Sequence, residues 1–204
     1  MSDYELNILF KVFIYIIVIL SAVFHEYAHA FVANYLGDPT AKYEGRLTLN
    51  PLKHIDPLGT IFLPLFLLFA FGMFIGWAKP VPYNPYNLRD QKYGSLKVGI
   101  SGPLANFFIA LSLGLMLRFN AIPDFLLSAV VLIIYINIFL ALFNLIPIPP
   151  LDGSKILMDL FPRSVILQTL EFSFIGVFIA VILAMKFLPF VASIIFYIIT
   201  GKTF

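Results

Sequence analysis

The stretch SAVFHEYAHAFVANYLG, residues 21–37, places two histidines and a glutamate inside an apolar segment of the chain. His25 and His29 are four residues apart, so on a helix their side chains lie on one face, one turn above the other. Two imidazoles at that spacing can bind a single metal ion. Titratable groups are costly to bury among apolar side chains, so the cluster predicts a metal site with a function. The alternative is a polar cluster that is paired only for helix packing.

The composition indicates that this stretch belongs to a membrane protein. Hydrophobic residues make up 61% of the 204 residues and charged residues 12%, against about 45–50% and about 25% in soluble domains. The net charge of +2 is small and its basic residues are scattered, which excludes a nucleic-acid partner. The chain has no cysteine, which excludes disulfides and thiolate metal ligands. Its length predicts one domain over residues 1–204, with no room for an appended module.

Apolar runs predict an all-α polytopic membrane protein, a bundle of about four to six membrane segments, since a span takes about 20 apolar residues. The first run extends from about Leu6 to Leu36, and its acidic start predicts a helix that is retained rather than cleaved. Residues 97–118 and 125–146 are clear spans. Residues 172–200 form either one long segment or two short ones divided near Pro189.

Three regions depart from simple spans. Residues 38–57 are polar with partly alternating apolar positions, which predicts short strands and turns at the surface or lining a cavity. Residues 58–76 are apolar but interrupted by proline and glycine, which predicts a re-entrant segment. In NLIPIPPLDG, a helix is broken by Pro147, Pro149 and Pro150. Irregular backbone beside the hydrophobic core is tolerated only inside protein or next to a cavity.

The distribution of basic residues predicts an orientation. Lysines and arginines concentrate in the connecting regions, whereas the N-terminus carries Asp3 and Glu5 and the turn near residues 118–124 holds only Arg118. Basic loops favour the cytoplasmic side of a membrane. The basic loops can all share that side only if residues 58–76 enter and leave by the same face. His25 then lies toward the cytoplasmic side.

The pattern H-E-x-x-H at residues 25–29 is the helical zinc signature of metalloproteases. In it two neutral imidazoles bind the ion, and the glutamate, here Glu26, accepts a proton from metal-bound water. A catalytic zinc generally has three protein ligands and a water. Candidates for the third ligand are His54, Asp56, Asp90 and Asp152.

Asp152 is the favoured third ligand, because it follows a membrane helix in the proline-broken segment. Gly153 behind it allows the chain to turn sharply. The alternative is that Asp152 caps the helix that begins near Ser154.

FHEYAH, followed far downstream by NLIPIPPLDG, resembles the site-2 protease family of intramembrane zinc metalloproteases. The second motif of that family has the form N-x-x-P-x-P-x-x-D-G. All of its fixed positions are filled here, by Asn144, Pro147, Pro149, Asp152 and Gly153. SGPLAN, residues 101–106, also resembles the family. The resemblance covers roughly residues 15–160, in a minimal form without a PDZ or CBS domain.

This resemblance implies that His25, His29 and Asp152 ligate one catalytic Zn²⁺ and that Glu26 is the general base. It implies that Asn144 helps to hold the substrate peptide or to stabilise the developing oxyanion; the alternative is a helix-end residue that satisfies local backbone groups. The expected reaction is hydrolysis of peptide bonds in or near transmembrane segments of single-span membrane proteins. The expected location is a prokaryotic cytoplasmic membrane, with the active site toward the cytoplasm.

His54 is a secondary candidate, either gating the substrate or ligating zinc in a resting state; an ordinary loop histidine is the alternative. A transmembrane substrate has its backbone groups bonded within its own helix, so it must unwind before cleavage. The unwound peptide is expected to pair with an edge strand from residues 40–50. The sequence says nothing of the oligomeric state.

The main alternative function is a transporter or metal-handling membrane protein, in which His25, His29 and Asp152 form a transient ion site. A catalytically silent scaffold that keeps zinc for stability is a third reading. Neither needs Glu26 beside the ligands or Asn144 before the broken segment. The sequence therefore favours the protease.

Overall fold

Four long apolar helices form the body of the protein. The computed structural model describes residues 3–71, 76–161, 164 and 174–204. The helices long and apolar enough to cross a membrane are Asn7–Tyr35, Gly94–Arg118, Asp124–Asn144 and Phe178–Thr200. Every regular element of the described residues is helical. The predicted all-α polytopic bundle is confirmed, and the protein is an integral membrane protein.

The helices divide into long spans and short connecting elements. The α-helices are α1 Asp3–Tyr35, α2 Thr40–Tyr43, α3 Leu63–Phe71, α4 Gly94–Arg118, α5 Leu127–Asn144, α6 Gly153–Leu160 and α7 Phe174–Thr200. The 3₁₀ turns are Pro51–Lys53, Pro85–Asn87 and Asp124–Leu126. A π-helical stretch, Pro57–Phe62, leads into α3.

The centre of the bundle is α4, which contacts α1, α5, α6 and α7. Its inner face joins α5 and α7 in the main apolar core, which includes Leu117, Ile134 and Phe196. Gly114 lets α7 come close, because a Cβ at that position would lie 2.3 Å from Cγ2 of Ile199. Small residues on α4 therefore set how closely its neighbours approach.

The end of α1 is anchored by a buried carboxylate. The helix ends at Tyr35, and Gly37 takes a φ of +109° that favours glycine. Asp38 is completely buried. Its carboxylate accepts hydrogen bonds from the backbone of Thr40, the backbone of Asn84 at 2.7 Å and the side chain of Asn87 at 2.9 Å. One carboxylate thus ties the loop before α4 to the end of α1.

The predicted strands in residues 38–57 are wrong. The structure has α2, a turn at Gly45 and the 3₁₀ turn Pro51–Lys53 in that region, and no strand occurs in the part of the chain described. Asn50 and Asp56 accept hydrogen bonds from backbone N–H groups two or three residues ahead. Such local bonds compete with the ladder of a sheet. The edge strand expected at residues 40–50 therefore does not form.

The segment 58–76 returns to the side from which it starts. The N–H of Trp77 donates to the carbonyl of Gly59 at 3.1 Å, and Thr60 donates its hydroxyl to the Trp77 carbonyl at 2.7 Å. The π-helical stretch has 6 residues and α3 has 9. At 1.5 Å per residue their combined length is about 22 Å, which is less than the roughly 30 Å thickness of a hydrocarbon core. Both ends of the segment meet, which agrees with the predicted re-entrant path; residues 72–75 lie outside the described part.

The C-terminal region is one helix from Phe174 onward, with Pro189 inside it. Of the two readings left open for residues 172–200, the structure supports one long segment; residues 172 and 173 lie outside the described part. Ser193 donates its hydroxyl to the carbonyl of Pro189 at 2.8 Å. A serine one turn after the proline thus bonds the carbonyl of the proline itself.

Replacing Asp38 with asparagine should destabilise the loop at the end of α1. Burial disfavours the charged carboxylate, but hydrogen bonds from Thr40, Asn87 and Asn84 outweigh burial and hold the pKa of Asp38 below its ordinary value. The ionised carboxylate therefore stabilises the folded protein above about pH 3.9, the pKa of an aspartate in the unfolded chain. This stabilisation is lost as the pH falls through the lower pKa that Asp38 has in the folded protein. The expected loss in Asp38→Asn is about 1–3 kcal/mol of unfolding free energy at neutral pH.

Denaturant unfolding in detergent micelles measures this effect, with Asp124→Asn, at an exposed aspartate, as the control. The difference between wild type and Asp38→Asn should shrink below about pH 4. A difference independent of pH would show that the Asp38 charge does not stabilise the loop.

Candidate metal centre

Three potential metal donors meet inside the bundle. Nε2 of His25 lies 2.8 Å from Oδ2 of Asp152, and Nε2 of His29 lies 3.0 Å from the same oxygen. The two Nε2 atoms are 3.0 Å apart. Among the described residues this is the group of three His, Cys, Asp or Glu side chains that can hold a metal ion. The histidines are on adjacent turns of α1, and all three side chains are largely buried.

Asp152 reaches the histidines from the broken segment that follows α5. It precedes α6, but its side chain makes no capping hydrogen bond. The capping alternative is therefore wrong. Gly153 permits the approach, since a Cβ there would lie 2.3 Å from the carbonyl oxygen of Leu145. Glycine is needed here for close contact with the end of α5, and not for an unusual backbone angle as the sequence suggested.

A buried amide network sets the tautomer of His25. Asn106, completely buried in α4, donates its amide hydrogens to the carbonyl of Ser21 at 3.2 Å and to Oδ1 of Asn137 at 2.8 Å. Its Oδ1 therefore faces Nδ1 of His25, at 2.6 Å, and accepts the hydrogen of that nitrogen. A neutral imidazole carries one N–H, so Nε2 of His25 presents a lone pair.

His29 has the same tautomer for a different reason. Its Nδ1 lies 2.7 Å from the carbonyl oxygen of Val98, which can only accept a hydrogen. Ser101 donates to the same carbonyl at 2.6 Å. Nε2 of His29 therefore also presents a lone pair. Both bare nitrogens and a carboxylate oxygen face one point, an arrangement that a shared cation satisfies.

The donor set fits zinc. Zinc at a catalytic site takes nitrogen and oxygen ligands at about 2.0–2.2 Å in tetrahedral geometry, and the three donors need to separate by only about half an ångström to surround it. Gly102 of α4 leaves the necessary space, because a Cβ there would lie 2.5 Å from Nε2 of both His25 and His29. The glycine of SGPLAN thus faces the metal group.

Glu26 lies beside the group, with one carboxylate oxygen held by the backbone. Oε2 accepts the N–H of Val81 at 2.7 Å. Val81 stands between Pro80 and Pro82, which have no N–H, and its side chain packs with Ala30 of α1. The segment after the re-entrant helix therefore orients Glu26 and leaves Oε1 outside the hydrogen bonds of the described residues.

The second oxygen of the Asp152 carboxylate is also paired. Oδ1 lies 2.8 Å from Nζ of Lys155, one turn further along in α6. Burial raises the pKa of Asp152, but the positive charge of Lys155 at this distance favours the ionised form and lowers that pKa. Asp152 is therefore a carboxylate at neutral pH, as a metal ligand must be.

Known proteins match the chain over most of its length. A model of peptidase family M50 matches residues 119–188. The candidate zinc metalloprotease YwhC of Bacillus subtilis is 41% identical over 162 residues, 75% of this chain and 71% of that protein. The candidate zinc metalloprotease Rip2 of Mycolicibacterium smegmatis is 34% identical over 137 residues, 66% of this chain and 52% of that protein. No solved structure matches the chain at a significant level.

The zinc metalloprotease MJ0392 of Methanocaldococcus jannaschii is 27% identical over 151 residues, 74% of this chain and 35% of that protein. The identity with YwhC, over more than two thirds of both chains, decides the family. The chain belongs to peptidase family M50, the site-2 protease family. It is a membrane-embedded metalloprotease with zinc as its cofactor. The family resemblance seen in FHEYAH and NLIPIPPLDG is confirmed.

Two predicted site residues of this M50 protease lie outside the metal group. His54 is buried, but Nε2 donates to the carbonyl of Thr48 at 2.9 Å and Nδ1 has no partner among the described residues. In this structure its ring holds the loop together. Asn144 ends α5, and its amide donates to the carbonyl of Leu140 at 3.0 Å. Its expected role toward the substrate stays a prediction.

The other candidate ligands serve the backbone near them. Asp56 accepts from the N–H groups of Leu58 and Gly59. Asp90 accepts from the N–H of Tyr93 and pairs with Lys97 at 2.6 Å. Both carboxylates cap local turns, which leaves Asp152 as the third ligand candidate of the metal group.

Several residues that shape the site of this M50 chain were not assigned to it from the sequence. Among them are Val81, Asn106, Asn137 and Lys155. A polar residue inside a predicted span is a usable signal for the two asparagines. A position one helical turn after a ligand is a weak signal for the lysine. The contact of Val81 with Glu26 is made by the backbone N–H, so the type of residue at position 81 does not predict it.

Adding a methyl group at Gly102 should prevent the metal group from forming. In Gly102→Ala the new Cβ would meet Nε2 of both histidines at 2.5 Å, so the rings must move apart. We expect zinc affinity to fall by at least about 10–100-fold, measured by chelator competition on purified protein. Leu104→Ala, on the exposed face of the same helix, is the control. Unchanged affinity in Gly102→Ala would contradict the convergence of the two rings.

Proposed function

We propose that this protein hydrolyses peptide bonds in or near the transmembrane segments of membrane-protein substrates. In this proposal His25, His29 and Asp152 hold the zinc and Glu26 is the general base. The observation that carries the proposal is the meeting of three donor atoms within 3.0 Å of one another among apolar helices. Burying such a group is costly unless it binds a cation.

The chain's own residues would divide the chemistry among them. When bound, zinc would act as a Lewis acid and would lower the pKa of a water molecule to about 7. Glu26 accepts the proton of the attacking water on Oε1, while Val81 holds Oε2. The water oxygen bonds to the scissile carbonyl carbon, the C–N bond breaks, and Glu26 returns the proton to the leaving amine nitrogen. Asn106 and the Val98 carbonyl keep the imidazoles in position throughout.

The substrate must reach this group in an unwound form. A helix in the bilayer has its backbone groups bonded internally, so its carbonyls are inaccessible until it opens locally. We therefore propose single-span membrane proteins with helix-weakening residues near the cut. Asn144 is suited to hold the opened peptide, because only its bond to Leu140 engages the amide among the described hydrogen bonds.

The orientation also belongs to this proposal. His25 lies ten residues before the end of α1 at Tyr35, about 15 Å at 1.5 Å per residue. Most of the basic residues that lie outside the long helices are in the loops between α1 and α4. Basic loops favour the cytoplasmic side of a membrane, so this end of α1 is expected to face the cytoplasm. We propose a prokaryotic cytoplasmic membrane with cleavage near its cytoplasmic face.

Replacing Glu26 with glutamine separates the protease from a transporter or a scaffold. Glutamine keeps the size of the side chain but cannot accept the proton, so cleavage should fall by about 10²–10⁴-fold while zinc stays bound. Substrates are identified by comparing membrane proteomes of cells with wild type and with Glu26→Gln, in which uncut single-span proteins accumulate. Cleavage of one such protein is then measured in proteoliposomes, alongside zinc content.

The control is Glu44→Gln, at an exposed loop position, which should cleave at the wild-type rate. Cleavage by Glu26→Gln at the wild-type rate would remove Glu26 from the mechanism. Transport of zinc across the vesicle membrane by both forms would favour the transporter instead.

A further inference from the structure

A half-buried lysine engages one of the two oxygens of the Asp152 carboxylate and leaves the other to the histidines. Nζ of Lys155 lies 2.8 Å from Oδ1 of Asp152, whereas Oδ2 faces Nε2 of His25 and of His29. The side chain of Lys155 is 23% exposed and that of Asp152 is 12% exposed. An ion pair so shielded from water is screened by salt much less than a surface pair.

Packing places the ammonium group at that oxygen. The stem of Lys155 lies along the backbone of α4 at Gly99, where a Cβ would meet Cδ of the lysine at 2.7 Å. Nζ lies 5.3 Å from the centroid of the Tyr83 ring, within the range of a cation–π contact. Within the part of the chain described, Asp152 is the carboxylate that pairs with this lysine. The lysine is thus held between α4, Tyr83 and the metal group.

A cavity of about 200 Å³ adjoins the lysine. It is lined by Tyr83, Ser95, Ser154, Lys155 and Asp159, among others. Lys155 therefore both lines this cavity and pairs with Asp152. Without its ammonium group, Oδ1 would be available either to water from the cavity or to the metal.

We infer that Lys155 is a positioning residue that keeps Asp152 a one-oxygen ligand of the metal. A carboxylate can bind a cation through one oxygen or through both. Because Lys155 engages Oδ1, Oδ2 alone is offered beside the two imidazoles, and a fourth position remains for water. The inference rests on the ligand set of the proposed function, and extends it to a residue outside that set.

The charge of Lys155 should matter more than its volume. Lys155→Met keeps an unbranched side chain against Gly99 but removes the charge. We expect zinc to bind about 10–100-fold more weakly in this variant, as when other partners of metal ligands are removed. Lys155→Arg keeps the charge and should restore most of the affinity. Lys97→Met is the matched control, because Lys97 also pairs with an aspartate, at 2.6 Å, but at the surface.

Cobalt substitution gives a readout that a merely structural role would not change. With Co²⁺ in place of zinc, the wild type should show the strong visible absorption of four-coordinate cobalt. In Lys155→Met the released Oδ1 can join the ion, so the absorption should weaken as coordination number rises. Lys97→Met should keep the wild-type spectrum.

A double variant separates action through Asp152 from a general effect on the fold. If Lys155 acts on the metal through Asp152, adding Lys155→Met to Asp152→Asn should not weaken zinc binding further. An equal loss in both backgrounds would overturn the inference. So would wild-type affinity and an unchanged cobalt spectrum in Lys155→Met, although the ligand set would then stand. Absence of zinc binding by the wild type would instead reject the proposed function itself.

Folding of the neutral variants is checked by thermal unfolding of the metal-free protein. Lys155→Gln provides the same measurements if Lys155→Met does not fold. If both neutral variants fail to fold while Lys155→Arg folds, Lys155 supports the structure as a whole, and the inference is overturned.

Discussion

The structure depends on satisfying buried polar groups where lipid offers no hydrogen bonds. Inside the bundle, the amides of Asn106 and Asn137 bond to one another and to neighbouring polar groups. The Nδ1 atoms of His25 and His29 are bonded as well. Three atoms lie outside this network and face one another: the two Nε2 atoms and Oδ2 of Asp152. Because the polar groups around these three atoms are already hydrogen-bonded, the three atoms direct their lone pairs at one point.

The close approach of backbones makes this network possible. Gly102 and Gly99 of α4 leave room for the imidazoles and for the stem of Lys155, and Gly153 lets α6 begin against the end of α5. A side chain at any of these positions would separate elements that now touch. The spacing of helices in a membrane bundle is set by such small residues, because apolar surfaces gain little by leaving lipid. The metal centre is therefore a product of helix packing as much as of its ligands.

Irregular backbone supplies the remaining parts. The segment after the re-entrant helix places the N–H of Val81 on Glu26, and the proline-broken segment after α5 delivers Asp152. Non-helical chain at this depth is tolerated because its polar groups face protein rather than lipid.

The sequence by itself determined the class of protein and the core of the site. Apolar runs predicted the long helices because lipid burial depends on local composition, and the spacing of His25 and His29 predicted their common face because helical geometry is local. Asp152 was favoured from its position and its family motif. Asn144 matched the same motif, yet the structure places its amide on Leu140, so the motif alone did not establish its contacts.

Only the tertiary structure decided the contacts between distant parts of the chain. Asp152 is 127 residues from His25, and no periodicity reports a distance of that kind. The strands predicted in residues 38–57 failed because Asn50 and Asp56 bond to the backbone that follows them, a competition that alternation of apolar residues does not reveal. The pairing of Lys155 with one oxygen of Asp152 depends on how α4 and α6 pack. Local pattern determines the elements, and packing decides which atoms meet.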